Sequence, residues 1–439
     1  MNTYFIKHKK KDFTMTKPIF NQNKTTSTRR DFIKTSAITS ASFFIARHAF
    51  SEPSPLKVGI VGCGRRGIGA GIDCVRSSPN IKITAIGDLF PDAIQKCKEK
   101  LAQLGDAFQV DEKHCFTGWD NYKGVIESDI DIVILSAPPA FRPQHFQYAI
   151  EMNKHVFMEK PVAVDSVGIR SILATGERAT EKKLNVVAGT QRRHQKPYQA
   201  LIKRIHEGAI GKIVSASCYW IGDYDYYTPV PRDPSWSDME YQLRNWNYYT
   251  WISGDHIVEQ HVHNIDIINW VLQAHPIKAI GMGGRQQRTG PEFGHIYDHF
   301  FVEFEYPGGI RVTSACRQNK NTYKRVGEYV VGTHGKAEPG KYIFTDKEYP
   351  YTGEQNNPYE QEHADLISAI RNGAYINETQ AIAESTLSAI MGRMSAYTGE
   401  EITWDWVLNE SKLNLLPEKL EFGPMPVPPV AVPGETELI

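Results

Sequence analysis

From residue 57 onward, short apolar runs rich in Val and Ile alternate with stretches whose apolar positions recur every three or four residues. Lys57 to Val61 reads as a buried strand, "IGAGIDCVRSS" as a helix, Ile81 to Ile86 as the next strand and Pro91 to Leu104 as a second helix. A strand over Asp131 to Ala137, a helix over His145 to Met152 and a strand over His155 to Met158 continue the rhythm. Strands alternating with helices predict an α/β fold with a doubly wound parallel sheet of the Rossmann type. Beyond residue 210 the runs lengthen. "GKIVSASCYW", "PIKAIGMGGRQ", "DHFFVEFEYPGGIRVTSACRQ" and "GEYVVGTHGKAE" read as longer strands, with Pro307-Gly308-Gly309 as a hairpin turn. A second α/β domain on a mostly antiparallel sheet is therefore expected, followed by a helical stretch from Glu360 to Tyr397 and an irregular Pro-rich tail from Pro417. The expected partition is a leader and linker over 1–50, a nucleotide-binding domain over 51–190, a substrate-binding and oligomerisation domain over 191–410, and a tail over 411–439.

The first strand runs directly into Gly62-Cys63-Gly64-Arg65-Arg66-Gly67. In such a loop the first glycine makes the tight turn, the second lets backbone approach a pyrophosphate, and the third lets the helix pack closely on the sheet. The helix N-terminus then offers unpaired N–H groups and partial positive charge to the phosphates. Asp88 closes the second strand, where a carboxylate accepts hydrogen bonds from the adenosine ribose and repels a 2′-phosphate. This favours NAD over NADP, although Arg65 and Arg66 pull mildly the other way because an arginine can accept that phosphate.

Lysine plus arginine equal aspartate plus glutamate at 50 each, so there is no basic field for nucleic acid or anionic lipid. The six cysteines have no Cys-x-x-Cys spacing, which fits neither a zinc module nor a disulfide scaffold. Near the start, "TRRDFIK" precedes a weakly apolar run from Ala37 to Ala46 and looks like a twin-arginine export signal. That run is too short and too polar to span a membrane, so integral membrane association is not expected. A chain exported already folded has usually something to assemble first. An NAD loaded in the cytoplasm and retained outside it answers that need.

At "MEKPVAV", residues 158 to 164, the sequence resembles the family of glucose–fructose oxidoreductase and inositol dehydrogenase, Gfo/Idh/MocA. The likeness runs from about residue 55 to 410 through "GTQRRHQKPYQALIKRIHEGAIGKI", "GDHIVEQHVHNIDIINWVL", "GTHGKAE" and "EQEHADLISAIRNG". By this resemblance, Glu159 and Lys160 lie at the cofactor, and Lys160 reaches the substrate. The family's second motif falls on Glu259, His263 and Asp266, with Glu259 where aspartate is usual and His261 where a small residue is usual. Hydride transfer from a carbinol carbon needs a base for the hydroxyl proton, which suits His263 and leaves His261 as the competing choice. Lys160 can hold the alkoxide as it forms. His256, Glu259, His261 and His263 include metal-ligand types, but the dehydrogenase reading already explains them and no metal is assigned.

Residues 219 to 251 carry 11 tyrosines and tryptophans in 33 positions. Such rings stack on the C–H faces of sugars, and they also populate interfaces between subunits. A carbohydrate or polyol substrate is expected, with Arg193, Tyr226, Trp246, His261 and His263 as its contacts, and a homo-oligomer through the second sheet. The alternative is a redox-neutral glycosidase or lyase that transiently oxidises a sugar hydroxyl.

Overall fold

The computed structural model describes residues 54–222 and 228–439. The expected leader with Arg29 and Arg30, and Tyr226 in the aromatic segment, lie outside the described residues. Six strands, β1 (Leu56–Val61), β2 (Ile81–Asp88), β3 (Cys115–Thr117), β4 (Ile132–Leu135), β5 (His155–Met158) and β6 (Val186–Ala188), form a sheet in the order β3-β2-β1-β4-β5-β6. All its pairings are parallel. Helices cover both faces, so Val58, Ile60, Ile83, Ile132, Ile134 and Phe157 have no exposed surface, and the strands carry continuous apolar runs. Strand order reverses between β1 and β4. This opens a crevice at their carboxyl ends, where sheets of this kind take ligands.

The second sheet contains β7 (Ile213–Gly222), β8 (Lys278–Gly284), β9 (His299–Tyr306), β10 (Ile310–Gln318), β11 (Arg325–Gly332), β12 (Lys336–Glu338), β13 (Tyr342–Phe344), β14 (Glu348–Pro350) and β15 (Ile402–Thr403). Their order is β14-β13-β12-β11-β7-β10-β9-β8-β15, antiparallel except where β7 runs parallel to β10. Because side chains alternate along a strand, Phe300, Val302, Phe304 and Tyr306 of β9 face the core while Phe301 and Glu303 face outward. The core face packs on the helices Val262–Leu272 and Thr379–Thr398.

The expected parallel, doubly wound sheet and the mostly antiparallel second sheet are both present, with differences in detail. β9 and β10 form the hairpin read from the sequence, turning at Pro307–Gly309 where Gly308 takes φ +80°. The helical stretch is two helices, Pro358–Asn372 and Thr379–Thr398, because Gly373 adopts φ +64° and caps the first. β3, β6 and β12 to β15 have two or three residues each, too few for a period-two pattern to show. Leu366 and Ile367 of the helix Pro358–Asn372 join the core of the first sheet, although they follow the second sheet in sequence.

Candidate active site

The glycine loop leaves β1 with Gly62 at φ +97°, and an added Cβ there would lie 2.3 Å from the Ala137 amide nitrogen. A Cβ on Gly67 would lie 1.8 Å from the Gly62 carbonyl oxygen, so helix and loop touch backbone to backbone. At Gly64 a Cβ would meet nothing within 4 Å. Its missing side chain therefore leaves space for a ligand rather than for the protein. Gly64 is also the N-cap of the helix Arg65–Ser77, which has no side-chain cap and no acidic residue in its first turn. Its first N–H groups lack intrahelical partners and favour an anion. These residues fit the pyrophosphate of a dinucleotide.

Asp88, at the end of β2, accepts hydrogen bonds from the amides of Cys63 (2.7 Å) and Phe90 (3.0 Å). The carboxylate thus ties the glycine loop to the β2 turn, and burial raises its pKa above the usual aspartate value despite those bonds. Arg65 stands exposed at the first turn of the helix. Arg66 points elsewhere: it pairs with Glu159, with Asp73 (3.2 Å) and with Glu362 (3.2 Å), and lies over the Tyr359 ring. Three carboxylates occupy its donors.

Lys160 follows β5 at the same edge of the sheet, and its peptide bond to Pro161 is cis. Its ammonium donates to the Glu259 carbonyl oxygen and to Glu259 Oε1 (2.9 Å). A lysine has three N–H donors, and two are used among the described residues, which leaves one for a substrate oxygen. Glu259, on the short helix His256–Glu259, is buried and anchors the lysine. Its extra methylene supplies reach across from one chain segment to the other.

His263 opens the helix Val262–Leu272 and stacks on Trp220 of β7, with ring centroids 5.8 Å apart. It is half-buried, and its ring makes no hydrogen bond among the described residues. Its enclosure, then the charges of Lys160, Arg192 and Arg66, hold its pKa well below 6.5. At neutral pH the ring is an uncharged base. His261 is fully buried, bonded through Nε2 to Ser314 Oγ at 2.8 Å, and burial lowers its pKa to about 3. It faces the second sheet, two residues away in sequence and inside the core. His256 is also buried, edge-on to Phe300. The four residues with metal-ligand chemistry thus point different ways, and no metal-holding group is found among the described residues.

Arg193 makes a two-pronged ion pair with Asp266, at 2.9 to 3.1 Å, and covers the Trp270 ring. Its neighbour Arg192 instead lies over Trp220 (5.7 Å) and pairs with buried Glu328 of β11 at 2.6 Å. Sequence reading missed Arg192 and Glu328, since a paired Arg-Arg dipeptide gives no sign of which member turns inward. Trp246 packs with Tyr241, Tyr248, Tyr249 and Trp251 in a cluster that also takes in Phe90, Trp119 and Phe141 from the first sheet's loops. Much of the aromatic segment is therefore core. A cavity of about 520 Å³ beside it, lined by Pro229, Pro231, Tyr241, Tyr249, Glu292 and Met425, is separate in its lining from Lys160 and His263.

Two family models match the chain. One, described as an oxidoreductase family with an NAD-binding Rossmann fold, covers residues 56–189; the other, a GFO/IDH/MocA C-terminal domain, covers 198–338. The 2,7-anhydro-N-acetylneuraminate hydratase of Escherichia coli is 27% identical over 184 residues, 42% of this chain and 45% of that protein. The inositol 2-dehydrogenase/D-chiro-inositol 3-dehydrogenase of Lactiplantibacillus plantarum is 23% identical over 262 residues, 60% of this chain and 65% of that one. The matched segments thus span about half to two thirds of these relatives' length. Among solved structures, the scyllo-inositol dehydrogenase of Lactobacillus casei with bound NAD(H) and scyllo-inositol superposes with a TM-score of 0.60 at 19% identity, over 80% of this chain and 99% of that one.

Proposed function

Since the chain belongs to the GFO/IDH/MocA family of oxidoreductases and carries its NAD-binding Rossmann fold, we propose that it is an NAD-dependent oxidoreductase of a sugar or polyol, working at a carbinol carbon. One observation carries this reading: the Lys160 ammonium, which spends two of its three N–H groups on Glu259 among the described residues, and the His263 imidazole, whose ring makes no hydrogen bond among them and is kept neutral by burial and then by the lysine's charge. When bound, NAD⁺ supplies the hydride acceptor. The chain's own groups do the rest. His263 takes the hydroxyl proton, Lys160 stabilises the alkoxide oxygen, and Glu259 keeps the ammonium in place. Trp220 holds that base in place, its ring stacked on His263 and beneath Arg192. Asp88 favours NAD over NADP because a 2′-phosphate beside its carboxylate would be repelled.

A second reading has a specific support in the likeness to the E. coli hydratase, a name that implies no net oxidation. In that version a ring carbinol would give its hydride to bound NAD⁺, and the ketone so formed would acidify the neighbouring C–H. Loss of that proton would expel the oxygen one carbon further on, water would add to the double bond, and the hydride would return to the same substrate. Purified protein incubated with inositols, aldoses and glycosides, with nicotinamide absorbance and product followed together, separates the two. Net absorbance change with the oxidised polyol supports the dehydrogenase; product release at constant absorbance supports the redox-neutral reaction; neither, with NAD bound, overturns both.

The export signal and the need for a cofactor beyond the cytoplasm complete the proposal: NAD is loaded during folding and stays bound. The same reading makes the chain a homo-oligomer. Met282, Phe301, Ala315 and Tyr219 stand in register on the outward face of β8, β9, β10 and β7, forming an apolar row with Met282 63% and Phe301 46% exposed. A second copy of the sheet, bringing the same row by two-fold symmetry, is the occupant that matches it.

A further inference from the structure

The tail after residue 410 forms no helix or strand, yet it is pinned along its length. The Leu415 amide donates to Asp165 Oδ2 (2.8 Å), the Met239 amide to the Gly423 carbonyl (3.1 Å), Gln242 Nε2 to the Met425 carbonyl (2.7 Å) and the Tyr297 hydroxyl to the Ala431 carbonyl (2.9 Å). Between the first two anchors stands Phe422. Its ring stacks on Phe90, with centroids 6.1 Å apart and planes 21° apart, and leans on Trp119 at 5.4 Å.

Those two rings have a telling origin. Phe90 follows Asp88 and donates its amide to that carboxylate, while Trp119 follows β3 and its neighbour Gly118 bonds to the Leu89 carbonyl. Phe141, in the loop after β4, lies 6.5 Å from Trp119. Loops leaving the carboxyl ends of β2, β3 and β4 thus each contribute an aromatic ring, and the tail contributes a fourth that is 47% exposed. If Asp88 holds the adenosine ribose, the base attached to that ribose falls against the side chains just beyond it. Adenine is a flat π surface that stacks on such rings.

We propose that Phe422 is a cofactor-binding residue, and that the C-terminal strap presses its ring onto the adenine end of NAD. The strap then has to lift before the dinucleotide can leave, which makes it part of the device that retains the cofactor. This rests on the NAD-binding reading above.

The test titrates the full chain with NAD⁺, ADP-ribose and nicotinamide mononucleotide by calorimetry. Phe422→Ala is expected to weaken NAD⁺ and ADP-ribose about tenfold, a typical cost of losing one base–aromatic stack. The mononucleotide, which has no adenine, is expected to bind as before, and Phe422→Trp to restore the dinucleotide. Phe422→Leu, which keeps the bulk but not the π face, gives the same split if the alanine variant folds poorly. Equal affinity for ADP-ribose in wild type and in both smaller variants overturns the strap's role, as does an equal loss for the mononucleotide. Failure of the wild-type chain to bind NAD⁺ or ADP-ribose, with no dinucleotide released from it on heating, overturns the dinucleotide reading itself.

Discussion

His263 is poised as a base because its enclosure, and then the charges of Lys160, Arg192 and Arg66, disfavour its protonated form. A native pKa below the ordinary histidine value means the ring is still neutral, and able to accept a proton, as the pH falls past 6.5. Activity is then lost only as pH falls through the depressed native value. The acid limb of kcat/KM is expected below pH 6.5 in wild type, and a limb at or above that value refutes the assignment. His263→Ala should lose the limb along with roughly 10²-fold or more in rate, whereas His261→Ala should keep it. Lys160→Ala should cost a similar factor through the alkoxide. Arg193 offers a contrast. Its pair with Asp266 is largely buried, 18% and 2% exposed at the two side chains. Arg193→Ala leaves a carboxylate unpaired inside the protein, which costs about 3 to 5 kcal/mol. Urea unfolding should show that loss, and the folded fraction should keep its KM; a raised KM at unchanged stability would return Arg193 to the substrate.

At the scale of elements, the glycine loop separates ligand from fold. Gly64→Ala adds a Cβ that meets no protein atom, so the melting temperature should hold while NAD affinity collapses. Gly67→Ala drives a Cβ into the Gly62 carbonyl, so stability and binding should fall together. Thermal unfolding with and without NAD distinguishes them. The loop was legible in sequence because each glycine answers a local backbone demand between a strand and a helix. The start of the helix His256–Glu259 was not. Gly254 and Asp255 take φ +78° and +71°, and the Asp255 backbone sits in a region that only glycine visits freely. Its carboxylate accepts from the Tyr397 hydroxyl and the amides of Tyr297 and His256, contacts that hold the turn leading to Glu259. Burial raises that carboxyl to about 7, and partners 42 and 142 residues away give no local signal.

For the whole molecule, the outward row on the second sheet makes a prediction about assembly. Phe301→Glu with Met282→Glu places like charges on the face where a second copy would sit, and light scattering should then report a monomer. An unchanged oligomer, or a wild type already monomeric, removes that face from the assembly. By itself the sequence determined the alternation of strand and helix, the nucleotide loop and Asp88 as the end of β2, each from spacing and backbone demands within one or two neighbouring elements, while the Glu159-Lys160-Pro161 triplet at the end of β5 was legible through its resemblance to a family. Only the tertiary structure decided how the charged and aromatic side chains are shared out. Arg66 meets Glu159 across 93 residues, Lys160 meets Glu259 across 99, and Arg192 meets Glu328 across 136. A buried charge must find its counter-charge wherever the fold brings one, and Phe422 finds Phe90 in the same way. Periodicity carries no record of such partners, because it reports only which side of an element a residue occupies and not what the fold sets against that side.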